Sequence, residues 1–329
     1  MNFLHASIDW FTRQRVSHMG PYQYASHKGL RDGRSMSGAA LWAAAEAERV
    51  AAQGNMVSTE TDLLHRVARE IGAHIPDGIP IIDLGPGTAA AFTHKTLPLA
   101  RALNSPTCVL VDESTAFLRQ IAELPAPGII LRPVIDDFFA NETAYAPEPA
   151  LACSFGSTIS NIVNPVDDAL PHTALTGSLA ALANATENGW LLIGFDSDHD
   201  GPRIQNYFRK HALFQLNILD RMTAELPIAG DFDANSFLYD PQWIEASGQL
   251  AHMAVAARDM RFTLAGTPVE LSAGDRLHIK NSYKFTPGFF EACCEAAGLE
   301  RVVAWSDAST AKIYLLKVPA IRRILAQAA

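Results

Sequence analysis

Cysteine is scarce. Four thiols, Cys108, Cys153, Cys293 and Cys294, are spread over 329 residues. That is too few for a disulfide framework, and their spacing matches no zinc site. Two lie in apolar strand-like runs and two in a helical-looking segment, so reduced, mostly buried thiols are expected. Clustered positive charge is also lacking. No basic run exceeds two residues outside Arg209-Lys210-His211, and the net charge is -9. Nucleic-acid binders show a basic footprint, so no nucleic-acid partner is expected. No apolar run approaches the ~20 residues a bilayer span needs. Met1-Asn2-Phe3-Leu4-His5 has no basic region followed by an apolar stretch, so it does not read as a secretory signal. A cytoplasmic protein without a membrane partner is expected. Internal repeats and low-complexity tracts are absent as well.

What is present is globular. The chain is 48% hydrophobic and 19% charged, enough for one large domain or two coupled ones. Residues 1 to about 75 look helical. Gly38–Gln53 is alanine-rich, and Thr59–Ile71 carries Leu63, Leu64, Val67 and Ile71 at helical spacing, with acids in its first turn. From residue 79 the character changes. Five short apolar runs follow, at 79–84, 107–112, 128–134, 151–155 and 189–196, with helical patterns at Thr96–Leu103 (Thr96 as N-cap) and Ser114–Glu123. This alternation predicts an α/β fold with a parallel sheet covered on both faces. It stops between about 197 and 277, where Tyr207–Glu225 reads as one helix with Leu213, Leu216, Leu219 and Met222 on one side, and Met253–Leu271 looks antiparallel. It resumes with a helix at Pro287–Ala297, stopped by Gly298, and a strand at Lys312–Val318. The central stretch therefore reads as an insertion into a nucleotide-binding type of sheet.

Four segments carry chemistry. Asp83-Leu84-Gly85-Pro86-Gly87-Thr88 follows the first strand, and its glycines let a ligand approach the backbone closely. Dinucleotides and S-adenosylmethionine (SAM) both use such a loop, and Ala90 could fill the third small position of the dinucleotide fingerprint, so the motif alone does not choose. Asp112 ends the second strand, 25 residues after Gly87, where a carboxylate accepts both hydroxyls of a ribose. Asp136, Asp137 and Phe138 follow the third strand, where an acid can accept from an adenine amino group and an aromatic can pack on its ring; a helix cap followed by core phenylalanines is the alternative. Phe155-Gly156-Ser157-Thr158-Ile159-Ser160-Asn161 follows the fourth strand, with Asn161 offering both a donor and an acceptor. Asp196-Ser197-Asp198-His199-Asp200 looks superficially like a metal cluster, but acid-rich loops are commonly solvated turns, and no metal is expected.

With these segments, Asn217-Ile218-Leu219, Ser282-Tyr283-Lys284-Phe285 and Trp305-Ser306-Asp307 complete a set that resembles the histidine-specific, SAM-dependent Nα-methyltransferases of ergothioneine biosynthesis, over roughly residues 55 to 318. The resemblance implies a Rossmann-like SAM-binding domain, residues 62–196 plus 287–329. It implies a second, α+β substrate domain from residues 1–61 plus 197–286, with a small amino-acid-like substrate between the two. Asp83, Gly85, Gly87, Asp112, Asp136, Asp137, Phe138, Phe155 and Gly156 would hold the cofactor. Asn161 and Tyr207 would hold the amino and carboxylate groups and orient them for catalysis, and Gly156, Met253, Lys280 and Ser282 would complete the substrate contacts.

Two departures bear on the substrate. The family places a glutamate two residues before the serine of the late motif, where it contacts imidazole; this chain has Lys280. A cation there disfavours a protonated or donating imidazole and favours an acceptor or anionic group. The family's second substrate tyrosine is replaced by the stretch Gly54-Asn55-Met56, and Tyr22 or Tyr24 are the candidates to compensate. The expected activity is N-methylation of a small amino acid or derivative other than histidine. The open alternatives are Nα-methylation of histidine, a nicotinamide-dependent oxidoreductase on the same glycine loop, and a silent SAM-binding protein. Methyl transfer from a sulfonium needs a neutral nucleophile held in line and water excluded, so positioning residues are expected rather than an acid–base dyad. His199 and His252 are the general-base candidates.

Overall fold

The computed structural model describes residues 3–14, 19–23, 38–51, 56–140, 144–146, 149–161, 172–306, 308 and 310–320. Tyr24, Gln53, Gly54, Asn55 and Asp307, invoked above, lie outside them, as does the side chain of Met56.

In chain order the elements are α1 (Phe3–Asp9), α2 (Gly38–Ala51), α3 (Met56–Ile71), β1 (Ile81–Leu84), α4 (Ala89–His94), α5 (Thr96–Ala102), β2 (Thr107–Asp112), α6 (Thr115–Ala122), β3 (Ile130–Ile135), β4 (Leu151–Ser154), α7 (His172–Ala183) and β5 (Trp190–Asp196). There follow α8 (Gly201–Arg209), α9 (Ala212–Glu225), β6 (Ile228–Gly230), β7 (Phe237–Ile244), β8 (Gln249–Ala256), β9 (Met260–Leu264), β10 (Thr267–Leu271), β11 (Arg276–Tyr283), α10 (Pro287–Ala296), β12 (Glu300–Ser306) and β13 (Ala311–Lys317). Two compact units result. One comprises Arg49–Ile162, Pro171–Asp198 and Lys284–Ala329, the other Met1–Glu48, Val163–Leu170 and His199–Tyr283.

The first unit is built on a seven-stranded sheet of order β12-β13-β5-β4-β1-β2-β3. β3, β2, β1, β4 and β5 run parallel, while β13 is antiparallel to β5 and β12 to β13. β1 and β4 are buried along their whole length, as expected where both faces of a parallel sheet are covered. Leu63, Leu64, Val67 and Ile71 of α3 share one core with Ile81, Leu110, Leu151 and Leu315 of the sheet. This packing assigns all of α3, residues 56–61 included, to the sheet unit. From β1 the chain winds outward through β2 to β3, then returns to β4 on the other side of β1. The carboxyl ends of β1 and β4 therefore flank a topological switch point, where open α/β sheets leave a crevice for ligands.

The second unit is α+β. Two antiparallel three-stranded sheets, β11-β8-β7 and β10-β9-β6, share one apolar core with α9 and the N-terminal segment. Trp10, Phe11, Met19, Leu219, Met222 and Phe262 belong to that core. α8 starts at Gly201 because Asp200 accepts from the Arg203 N–H and Pro202 occupies the first turn. A Cβ on Gly201 would lie 2.2 Å from Trp243 Cδ1, so glycine is what lets α8 lie this close to β7.

Three local expectations are corrected. Tyr207–Glu225 is not one helix, because the chain turns at Lys210-His211 between α8 and α9; no glycine or proline marks the break. Leu213, expected on the apolar side, is 41% exposed. Thr96 is not an N-cap: it lies inside α5, and its hydroxyl donates to the buried carboxylate of Asp83.

Candidate functional site

The rim of the larger sheet begins where β1 ends. Gly85 and Gly87 have φ of +81° and +67°, a region side chains with a Cβ rarely adopt. The Gly85 N–H donates to the Val111 carbonyl at 2.9 Å and ties the loop to β2. A Cβ on Gly85 would meet Phe138 Cζ at 3.4 Å and Thr158 Cγ2 at 3.6 Å, whereas one on Gly87 would meet nothing within 4 Å. The first glycine therefore keeps the loop close to its neighbours, and the second faces open space. The Thr88 hydroxyl accepts the Ala91 N–H at 3.1 Å and starts α4.

Asp112 ends β2 with its carboxylate held by the Ser114 N–H at 2.8 Å and by the Gly87 N–H. Burial pushes its pKa up to about 6, against those two hydrogen bonds, which pull it down. At neutral pH it is a mostly ionised acceptor at the loop's edge. Beyond β3, Asp136 accepts from the Tyr145 hydroxyl at 2.8 Å, and Asp137 accepts the Phe139 N–H at 3.0 Å. Phe138 and Phe139 have ring centroids 4.8 Å apart, with Phe138 against Gly85. Glu113, Asp136 and Asp137 give this corner a negative field. Glu113 titrates above the ordinary carboxylate range, chiefly through burial and then through Asp137, Asp112 and Asp136.

The turn after β4 is held from below by a pair, Glu60 and Lys95, that no sequence motif marks. Glu60 of α3 is buried, and both its oxygens accept the Gly156 N–H, at 3.0 and 2.9 Å. Lys95 pairs with it at 2.6 Å; the two side chains are 6% and 0% exposed. A Cβ on Gly194, in the middle of β5, would lie 2.1 Å from Glu60 Oε1, so that glycine makes room for the carboxylate. An interior strand glycine signals close approach, and Gly194 was the available clue. The acids of Thr59–Asp62, expected in a helical first turn, lie within α3, which begins at Met56, and Glu60 points into the protein. Ser157 sits in the left-handed region at φ +59°, and its hydroxyl accepts the Asp196 N–H at 3.0 Å. Asn161 follows a short 3-10 turn and is exposed.

The structure thus brings Gly85, Gly87, Asp112, Phe138, Gly156 and Asn161 to one sheet edge. Asp83 and Phe155 lie deeper. Asp83 is buried and bonded to Thr96, with burial raising its pKa to about 7 against the pull of Thr96 and Lys95. The Phe155 side chain is part of the core, so only its backbone faces the edge. Lys284, from the late motif, is also structural: it pairs with buried Asp196.

In the other unit, Tyr207 lies on α8, half-buried, with the His211 ring edge-on at 5.0 Å. β8 and β11 pair so that Lys280 faces His252. Lys280 is half-buried, with Nζ 5.2 Å from the centre of the Phe214 ring. Met253 is half-buried, and Ser282 is buried with its hydroxyl 3.0 Å from His252 Nε2. His199, the other base candidate, is exposed beside Trp243. Asp200 is spent capping α8. Among the described residues no group of three or more His, Cys, Asp or Glu side chains could hold a metal ion. No helix among them is long and apolar enough to cross a membrane.

A glycine loop at the switch point, a strand-end carboxylate and an aromatic ring over the loop define an α/β enzyme domain for an adenosine-containing cofactor. The model of the histidine-specific, SAM-dependent methyltransferase family matches residues 55–318, and the chain belongs to that family. It is a SAM-dependent methyltransferase. The uncharacterized protein y4iF of Sinorhizobium fredii (strain NBRC 101917 / NGR234) is 36% identical over 302 residues, covering 86% of this chain and 99% of that protein. The histidine N-alpha-methyltransferase of Mycobacterium tuberculosis (strain CDC 1551 / Oshkosh) is 25% identical over 242 residues, 69% of this chain and 71% of that one. A solved SAM-dependent methyltransferase from Clostridium acetobutylicum ATCC 824 is 11% identical, covers 84% of this chain and 97% of that one, and gives a TM-score of 0.49. The residues at the sheet edge fit SAM: open space at Gly87, a fixed carboxylate at Asp112 for ribose hydroxyls, and a negative corner suited to a cationic ligand.

Proposed function

We propose that this protein methylates a nitrogen of a small amino acid or amino-acid derivative whose side chain differs from the imidazole of histidine. The observation that carries the reading is Lys280. It lies two residues from Ser282 on β11, half-buried against Phe214, at the position where the family it resembles has an acidic residue.

Bound SAM supplies an electrophilic methyl group on a sulfonium. Gly85, Gly87, Asp112, Asp136, Asp137, Phe138 and the backbone around Phe155 and Gly156 are the residues to hold it. Glu60 and Lys95 fix the Gly156 turn from beneath. The work left to the chain is orientation, because holding reactants in line can supply roughly 7–11 kcal/mol of the barrier. Asn161 and Tyr207 are assigned to the amino and carboxylate groups of the acceptor, and Met253, Lys280 and Ser282 to its side chain. The amine attacks only in its neutral form, and a site that binds that form preferentially needs no strong base.

The methyl acceptor of the mycobacterial relative makes histidine itself the competing substrate. Turnover of SAM with a panel of amino acids, read by mass, separates the two. Added 14-dalton increments on amino acids other than histidine support the reading. Preferential methylation of histidine overturns it. No added mass with any substrate, despite SAM binding by calorimetry, would indicate a silent SAM-binding protein.

A further inference from the structure

Glu60 joins the two segments that border the cofactor edge. Its carboxylate accepts the Gly156 N–H with both oxygens, at 3.0 and 2.9 Å, and the Lys95 ammonium at 2.6 Å. Gly156 opens the turn after β4. Thr158 of the same turn lies against the glycine loop, since a Cβ on Gly85 would meet its Cγ2 at 3.6 Å. Lys95 is the junction between α4 and α5, where its N–H donates to the Ala91 carbonyl at 2.9 Å. α4 is the helix that the glycine loop starts, and Thr96, next in sequence, donates to Asp83 near the end of β1. One buried carboxylate thus ties the β4 turn to the segment that carries the glycine loop.

This brace works against stability. Taking a carboxylate and an ammonium out of water costs about as much as their attraction returns, and an apolar pair of similar size often packs as well or better. Gly156 is exposed, so its N–H could turn to water in their absence. A glycine in a strand interior weakens the strand, yet β5 has Gly194 between Ile193 and Phe195, both fully buried. A Cβ at 194 would lie 2.1 Å from Glu60 Oε1 and 2.9 Å from its Cδ, so the glycine is there to admit the carboxylate. The turn itself holds two consecutive residues at positive φ, Gly156 at +70° and Ser157 at +59°. For a serine that conformation is unfavourable and persists only where the surroundings enforce it. Three destabilising choices therefore converge on one turn at the cofactor edge. Strain of this kind gathers where a ligand-facing segment must hold one conformation.

We infer that Glu60 and Lys95 are positioning residues for methyl transfer: the pair braces the Gly156–Ser157 turn against the glycine-loop segment and so shapes the edge that receives SAM. The inference rests on the placement of SAM at that edge. The pair acts through the Gly156 backbone and need not touch the cofactor.

Calorimetry with SAM on the full chain tests it. Glu60→Met/Lys95→Met replaces the pair with apolar side chains of similar size and leaves no unpaired charge. SAM affinity should fall by threefold or more, about tenfold if the worth of one hydrogen bond is lost. The thermal unfolding midpoint, measured without SAM, should stay at or above the native value. Gly194→Ala keeps both charges but displaces the carboxylate, and it too should weaken SAM binding by threefold or more. Introduced into Glu60→Ala/Lys95→Met, the same substitution should change affinity less than twofold, because the new methyl then meets no carboxylate. A loss smaller than threefold in Glu60→Met/Lys95→Met or in Gly194→Ala overturns the inference. So does a Glu60→Met/Lys95→Met protein that melts below the native one or fails to fold, which would make the pair a folding element. An effect of Gly194→Ala that persists without Glu60 overturns it as well. If the native protein gave no heat with SAM, the cofactor placement itself would fall, whereas native binding with unaffected variants removes only the role of the pair.

Discussion

Asp83→Asn should flatten the pH dependence of stability. The Asp83 carboxyl is buried under the glycine loop, accepts from Thr96, and has a pKa raised to about 7 from an ordinary value of 3.8. A folded-state pKa above the unfolded one means the native state binds more protons between these values, so stability falls as pH rises through that window. For a shift of this size the loss between pH 5 and pH 8 is about 2.5 kcal/mol from this one group. Asparagine keeps an acceptor for Thr96 and removes the titration. Urea unfolding followed by tryptophan fluorescence, at half-unit steps from pH 5 to pH 8, measures both proteins. The native protein should lose about 2.5 kcal/mol more than the variant across the range. The difference should grow most steeply below pH 7 and level off above it. Parallel profiles would show that Asp83 is ionised throughout and that the Thr96 and Lys95 contacts outweigh desolvation.

Three further outcomes are expected. Asp112→Ala should weaken SAM binding by about tenfold, the loss of one charge-assisted hydrogen bond; in the native protein the affinity should also drop as pH falls below about 6, and calorimetry across pH checks both. Lys280→Glu should move substrate preference toward histidine in side-by-side turnover, and an unchanged preference would remove Lys280 from the substrate contacts. Lys284→Met should destabilise the sheet unit by roughly 3–5 kcal/mol, because it leaves Asp196 buried without its cation. Lys284 holds the Asp196 pKa below its ordinary value even though burial raises it. The deficit in Lys284→Met should therefore shrink as acid protonates the carboxylate, which thermal unfolding at pH 7 and pH 4 would reveal.

Periodicity and punctuation made much of this fold legible. The apolar runs ending at Leu84, Asp112, Val134, Phe155 and Asp196 are strands of one sheet, and the glycine loop and Asp112 lie at its edge. The same signals missed α4 and α7, which carry no strong amphipathic stripe. They missed β7, β11 and β12 because those strands mix buried and exposed positions without clean alternation. The break between α8 and α9 left no glycine or proline to read. Short-range pattern sees only a residue's neighbours in sequence, and it cannot tell which side chain a buried acid will meet.

Chain-local chemistry was enough to single out the glycine loop, the strand-end acid Asp112 and the lysine that departs from the family, because each is a residue type at a strand end or within a motif. Three-dimensional packing alone decided that Glu60 would reach across to Gly156 and Lys95 and that Asp83 would be sealed beneath the loop. The residues of the Glu60 cluster lie 35 and 96 positions apart. Only the fold, by removing water from between them, makes hydrogen bonding to one another the favourable state.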